Sequence, residues 1–199
     1  MAETYGTTAT LKARLGIEVD DTSRDALLGS ALEAASRGIE RATGRRFWLD
    51  GNPSVRTYRP KGRVVRQSDG ELLLVDDIGS LASGIVVESG SGASFTAVTD
   101  YEMHPENALA DGMPVTGLLR VNGYWGSDTS RVRVTTRFGW PAVPGDITEA
   151  ALIQAGRLFR RKDSPEGVLG SAEWGVTKLA RRDPDVAALI EPFIIPGFA

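Results

Sequence analysis

The stretch that decides the fold is Arg131–Pro165, RVRVTTRFGWPAVPGDITEAALIQAGRLFRRKDSP. Its opening alternates, with Val132, Val134, Thr136 and Phe138 on one parity and Arg131, Arg133, Thr135 and Arg137 on the other. Successive side chains of a strand point to opposite faces, so the pattern predicts a half-buried antiparallel strand with its arginines outside. Gly139-Trp140-Pro141 breaks that strand. A helix is predicted to start near Asp146, with Pro144 just outside it and Glu149 in its first turn. Ile147, Ala150, Ala151, Ile153, Gln154, Leu158 and Phe159 give it a mostly apolar surface that needs a helical partner. Arg157, Arg160, Arg161 and Lys162 gather near its end, where cations suit the helix dipole, and Pro165 is expected to stop it. A sheet and a helix therefore meet across one Trp-Pro corner, and the expected class is α+β.

Upstream of this stretch the signals are those of more strands. VRTYRP, GRVVRQ, ELLLVDD, GIVVES, SFTAV, DYEMH and GLLRVNG are short, β-branched or aromatic, and separated by Gly, Asp, Asn and Ser. SGSGAS, residues 89–94, reads as a flexible loop tip. Together these runs predict an antiparallel β domain, a small sandwich or barrel, over residues 51–139.

Further upstream the pattern is helical. TTATLKARLGI predicts a short helix with Thr8 or Thr10 as cap and Leu11 and Leu15 on one face. A long helix follows, with Thr22 or Ser23 as cap and Asp25 in its first turn. Leu28, Leu32, Ala35, Ile39 and Ala42 recur at steps of three and four and form one apolar stripe. Glu33 is placed to pair with Arg37 one turn on, and Gly44 suits the position after the helix. So many alanines let another helix approach closely. The chain thus divides into residues 1–50, the first part of a helical body; 51–139, the β insertion; 140–165, the helix that completes the body; and 166–199, a C-terminal arm.

Bulk properties narrow the function. The chain has 199 residues, 41% hydrophobic, and a formal net charge of −3. An acidic balance argues against general attraction to nucleic acid, which needs a cationic surface. With no cysteine, disulfides, cysteine-ligated zinc and thiol nucleophiles are excluded. No run of eighteen apolar residues is present, so no membrane span is expected. MAETYGTTAT lacks the basic-then-apolar order of a secretory leader, and a soluble, cytoplasmic product is expected.

No catalytic, cofactor-binding or metal set emerges. His104 in YEMHPEN has no second histidine or cysteine beside it and reads as a strand-end or loop residue. Asp76 and Asp77 are adjacent, so on a strand they point apart, and they read as turn formers. Neither a nucleophile elbow nor a phosphate loop appears. Arg56, Arg59, Lys61, Arg63 and Arg66, with Arg131, Arg133 and Arg137, read as the solvated face of a sheet, without interleaved aromatics to stack bases. Two other readings stay open: a ligand-binding β module with a groove lined by Tyr101, Tyr124 and Trp125, and a hydrolase using His104 with Asp100 or Glu102.

The two helical segments carry a resemblance. LKARLGIEVDDTSRDALLGSALEAASRGIERATGRRF is similar to the opening of tailed-bacteriophage head-to-tail connector (adaptor) proteins. There a short helix ending in Leu-Gly is followed by an acidic or Ser/Thr turn, then by a long helix ending in Thr-Gly-Arg and an aromatic. The matching positions are Leu15, Gly16, Asp20, Asp21, Thr22, Thr43, Gly44, Arg45 and Phe47. A second habit of that family is a strand ending aromatic-Gly-aromatic, a Pro-bounded turn and an Ala-rich helix closing in arginines. Phe138, Gly139, Trp140, Pro144, Ala150, Ala151, Arg160 and Arg161 carry it. The resemblance covers both helical ends, about half of the chain, and the β middle is longer than in the compact all-helical members.

The resemblance implies a non-enzymatic virion subunit without cofactors. Copies of it would form a homo-oligomeric ring, a dodecamer, beneath the portal protein. The ring would extend the DNA channel and bind the next neck or tail-completion protein, and genomic DNA would pass during ejection without sequence-specific contact. Its place would be the virion neck, and the host cytoplasm during assembly. Another neck or tail-completion protein is the neighbouring alternative. In this picture Gly139, Trp140 and Pro141 lock the β insertion onto the helical body, with Trp140 buried against the helix for about 3 kcal/mol. Phe193, Ile194, Ile195 and Phe198 are the expected ring or portal interface. Burial of each would contribute about 1.5–3 kcal/mol, while ordering the arm costs about 1–2 kcal/mol per residue. The arm should therefore be loose alone and ordered by a portal or neighbour, unless it folds back on its own helices.

Overall fold

The computed structural model of the chain describes residues 3–161, 168–169, 177–178 and 183–195. Two helices, α1 (Thr8–Leu15) and α2 (Asp25–Thr43), precede eight strands, and α3 (Gly145–Arg160) follows them. The chain divides into two units, residues 1–45 with 143–199, and residues 46–142. The class is α+β, and the eight-stranded sheet is antiparallel throughout.

In the helical unit, α1 is capped by Thr7 rather than Thr8 or Thr10. The Thr7 hydroxyl accepts from the Thr10 N–H at 3.1 Å, and the Thr10 hydroxyl accepts from the Thr7 N–H at 3.1 Å. Two of the four orphan donors of the helix start are satisfied reciprocally. The expected cap of α2 is not made. Arg24 stands at that position without a side-chain bond, because Ser23 turns its N–H and hydroxyl to Asp21, at 3.0 and 2.5 Å.

Along α2, Leu28, Leu32, Ala35 and Ile39 are buried as the spacing predicts, together with Ala31 and Ser36. Ala42 is exposed; Thr43 ends the stripe instead, its hydroxyl folded back to the Ile39 carbonyl at 2.9 Å. Arg37 pairs with Glu40 at 3.1 Å, not with the exposed Glu33. Gly44 closes the helix in the left-handed region at φ 70°. The helix α3 packs on both α1 and α2 through Ile147, Ala150, Ala151, Leu152, Ala155, Gly156 and Phe159. Ile153, Gln154 and Leu158, expected on the same surface, are half-buried.

In the β unit all eight predicted strands form: β1 (Ser54–Tyr58), β2 (Val64–Arg66), β3 (Gly70–Ser80), β4 (Val86–Ser91), β5 (Ser94–Ala97), β6 (Glu102–His104), β7 (Val115–Val121) and β8 (Arg131–Phe138). One leaf is β1–β8–β4–β5, the other β2–β3–β7–β6, and the ends of β3 and β8 join them through Ile78↔Phe138. The shared core contains Tyr58, Leu73, Val75, Val87, Leu118, Trp125, Val132, Val134 and Phe138. In β8 every second residue is buried, the alternation read from the sequence.

Two local expectations change. Residues 89–94 are no flexible tip but a tight hairpin, Ser91 paired with Ser94 across a two-residue turn that starts with Gly92 at φ 59°. Asp76 and Asp77 lie inside β3, where the register with β7 shifts between Leu74 and Ile78. They mark a bulge, not a turn. After α3 come β9 (Val168–Leu169) and β10 (Thr177–Lys178), an antiparallel pair in a stretch read as arm or loop. The helix α4 (Pro184–Ile190) and a 3-10 turn (Glu191–Phe193) complete the helical unit. Lys162, Pro165 and Phe198 lie outside the described residues.

Candidate assembly surfaces

The C-terminal segment is anchored before it reaches the expected interface residues. Asp183 caps α4, its carboxylate accepting from the N–H groups of Asp185 and Val186 at 2.9 and 3.3 Å. The same carboxylate pairs with Arg157 of α3 at 2.8 Å, both side chains about four-fifths buried. Val186 and Ile190 are buried in the helical unit, and α4 packs on α3. Beyond α4, Arg45 Nε donates to the Phe193 carbonyl at 2.9 Å, and the Ile195 N–H donates to the Thr43 carbonyl at 3.0 Å. The segment 183–195 is thus folded back on its own helices, so the expectation of a loose arm does not hold for these residues. Each polar anchor removes part of the ordering cost that apolar burial alone would have to offset. Ile194 and Ile195 keep 37% and 41% of their surface exposed.

The corner residues Gly139, Trp140 and Pro141 directly follow the end of β8. Trp140 is buried, and its contacts include the Phe47 ring, centroids 5.2 Å apart, and the Asp77 carboxylate, which accepts its indole N–H at 3.0 Å. Gly139 sits at φ 115°, and a Cβ there would come within 1.9 Å of the Trp48 carbonyl oxygen. Gly79 in the β3 bulge is equally confined, a Cβ meeting the Gly139 carbonyl oxygen at 2.7 Å. The Asp50 N–H donates to Phe138 O at 2.7 Å, and the Gly139 N–H to Asp77 O at 2.8 Å. Gly139-Trp140 therefore stitches residues 47–50 and the β3 bulge to the end of β8. Pro141 is half-buried.

Residues considered for chemistry are not assembled into a site. His104 ends β6, half-buried. Asp100 is committed to Arg120 at 2.5 Å, and that hydrogen bond holds its carboxyl below the usual carboxylate range. Among the described residues no group of three or more His, Asp or Glu could hold a metal ion, and no helix is long and apolar enough to cross a membrane. The aromatic trio lines no groove. Trp125 is fully buried, its indole N–H shared between the carbonyls of Glu71 and Leu118 at 2.9 and 3.1 Å. Tyr101 packs beside it, centroids 6.4 Å apart, and burial raises its phenol. Tyr124 alone is open.

The arginines of the sheet do meet aromatics, across strands rather than along them. Arg56 lies 4.0 Å from the Phe138 ring centroid and pairs with Asp76 at 2.8 Å. Arg63 covers Tyr58, whose phenol is raised by burial and by Asp76, and Arg133 covers Phe95 at 3.6 Å. Arg66 pairs with Glu71, Lys61 with Asp128, and Arg137 donates to the Asp50 carbonyl. Arg59 is exposed. Most of this charge is spent inside the β unit.

Among the described residues, three exposed surfaces stand out that the sequence did not single out. On the outer face of β1–β8–β4, Val55 and Val86 both face Thr135 in register and are 59% and 54% exposed. In the α1–α2 loop, Val19 stands 63% exposed among Glu18, Asp20 and Asp21. On α2, the small residues Ala26, Ser30, Ala34, Gly38 and Ala42 follow one another every fourth position on the side away from the buried stripe. The signals were present: a valine on the polar parity of β1, a valine framed by carboxylates, and a second period-four run.

The sequence matches no protein-family profile and no curated protein. Among solved structures, the chain is similar to one from the neck of an empty GTA (gene transfer agent) particle computed with C6 symmetry. The TM-score is 0.56 at 16% identity, over 100% of this chain and 95% of that one. A chain from the neck of a native GTA particle computed with C12 symmetry aligns at TM-score 0.45 and 17% identity, over 100% and 95%. The order of helices, inserted antiparallel sheet and closing helices is thus a fold shared along its whole length with a neck chain of a phage-like particle.

Proposed function

We propose that this chain is a structural, non-enzymatic neck subunit of a tailed bacteriophage or phage-like particle. Copies of it form a ring beneath the portal, extend the DNA channel and present a platform to the next neck or tail-completion protein. The observation that carries the reading is the full-length likeness of fold to a neck chain. Its independent support is the resemblance of residues 11–47 to connector openings.

The mechanism is assembly by shape. A ring requires each copy to offer two different complementary surfaces, since a head-to-tail contact that closes generates a cycle. The small-residue run on the outer side of α2 lets a neighbouring backbone come close, and Ile194 and Ile195 are further contact candidates. A net charge of −3 keeps the subunit from gripping DNA, so the genome can slide. Six or twelve copies are expected, by analogy with the C6 symmetry of the similar particle. Electron microscopy of the purified chain, alone and mixed with portal protein, tests this. Rings of six or twelve subunits seated on the portal are expected. A monomer that joins the tail side without touching portal would leave a tail-completion role instead.

A further inference from the structure

The α1–α2 loop is built to display a valine. Lys12 is buried, and its ammonium donates to the Val19 carbonyl at 3.0 Å while pairing with Asp25 at 2.6 Å. The Ile17 N–H donates to Lys12 O at 3.0 Å and the Asp21 N–H to Glu18 O at 3.1 Å, so the turn is closed at both ends. Asp21 further accepts from Ser23, and these bonds hold its carboxyl below the usual range. Val19 is thereby fixed in water among Glu18, Asp20 and Asp21, with Arg24 the neighbouring cation. A buried lysine spent on holding an exposed apolar residue is preorganisation without an occupant in the single chain.

The outer face of the β1–β8–β4–β5 leaf has the opposite character. In register across it run Val55–Thr135–Val86 and Thr57–Arg133–Glu88–Ala97, with Arg131 opposite Gly90 and Arg137 beyond. Arg131 donates to the carbonyls of Thr129 and Ser130, Arg137 to that of Asp50, and Arg133 lies over Phe95. None of these three arginines has an ion pair among the described residues, and Glu88 is the acid that faces them on the leaf.

Resting on the ring reading, we propose that the Glu18–Asp21 loop of one copy docks on the outer β1–β8–β4 face of the next. Val19 seats between Val55 and Val86, and the loop carboxylates meet Arg131, Arg133 and Arg137. Apolar knob meets apolar row, and acid meets base, which gives register and partner choice. Because loop and face are different surfaces, the contact is head-to-tail, the kind that closes into rings.

The chain has no cysteine, which makes the test direct. A disulfide forms only when two Cα atoms come within about 7 Å. Under ring-forming conditions, oxidation of full-length V19C/V86C should give a covalent ladder of dimers, trimers and longer species. V19C and V86C alone should stop at dimer or below. Adding Glu18→Lys and Asp20→Lys should abolish the ladder, and adding Arg131→Glu and Arg133→Glu to that variant should restore it. The loop variant sits on an exposed turn, so it stands as a test even where the face variant misfolds. Rings in the microscope without a ladder overturn this docking and leave the ring reading intact, and neither rings nor ladder overturns both. A link closed within one chain, or a ladder undiminished by the loop charges, also overturns it.

Discussion

The helical unit and the β unit are assembled from sequence in opposite ways. The β unit is one continuous stretch, residues 46–142, with a core supplied by its own strands. The helical unit joins residues 1–45 to 143–199, so its central contact, α2 against α3, closes across the whole β stretch. Closing long loops costs entropy before any burial repays it, and non-local contacts slow folding. The β unit can therefore consolidate from neighbours in sequence, while the helical unit depends on two distant segments returning to each other.

The largest test of that contrast is Gly139→Val. The side chain would demand a left-handed backbone and a space already held by the Trp48 carbonyl. A loss of about 3–5 kcal/mol is expected. Tryptophan fluorescence, with Trp174 replaced by Phe so that it reports the β unit through Trp48, Trp125 and Trp140, should melt well before the helical signal at 222 nm. Equal loss of both signals would mean that the two regions unfold as one. The converse is Leu32→Ala, which removes a buried side chain from α2. It should cost about 2–4 kcal/mol, seen first in the helical signal.

A smaller effect is expected from Arg157→Ala, which strips the partner from Asp183. About 1–3 kcal/mol should be lost, read as faster proteolytic cutting near Asp183 with the β signal unchanged. The smallest effect sharpens the contrast by pH. Asp100 in the β unit and Asp21 in the helical unit both have folded pKa values below the ordinary 3.8. Their stabilising contribution is complete above that value and lost as pH falls through the lowered folded values. Asp100→Asn should flatten the acid limb of the fluorescence melt and leave the helical limb, and Asp21→Asn the reverse.

How much of this was legible depended on the range of the physics. Strand positions follow from alternation within a few residues, and all eight appeared where Val, Ile, Thr and aromatics cluster. The stripe Leu28–Leu32–Ala35–Ile39 likewise follows from helical period alone. The caps were missed: Thr7 stands one residue before Thr8 and three before Thr10, and Ser23 had a competing acceptor in Asp21 that spacing does not rank. The contacts of Trp140 with Phe47 and Asp77 were not visible for a longer-range reason. Nothing near it in sequence reveals that Phe47 and Asp77 converge on it. The same holds for Arg133 on Phe95, which only strand pairing brings together. As for the candidate surfaces, exposed Val19, Val55 and Val86 were visible as letters. Their meaning depended on which side of each element faced inward.

The crossing of Gly79 and Gly139 beneath Trp48 has a consequence for how such a molecule can change over evolutionary time. Because Phe47 and Trp140 touch, the two ends of the β stretch are pinned side by side. The chain therefore enters and leaves this unit at neighbouring points. Such a cassette can be enlarged, trimmed or exchanged for another of different content, provided that its two ends stay clasped.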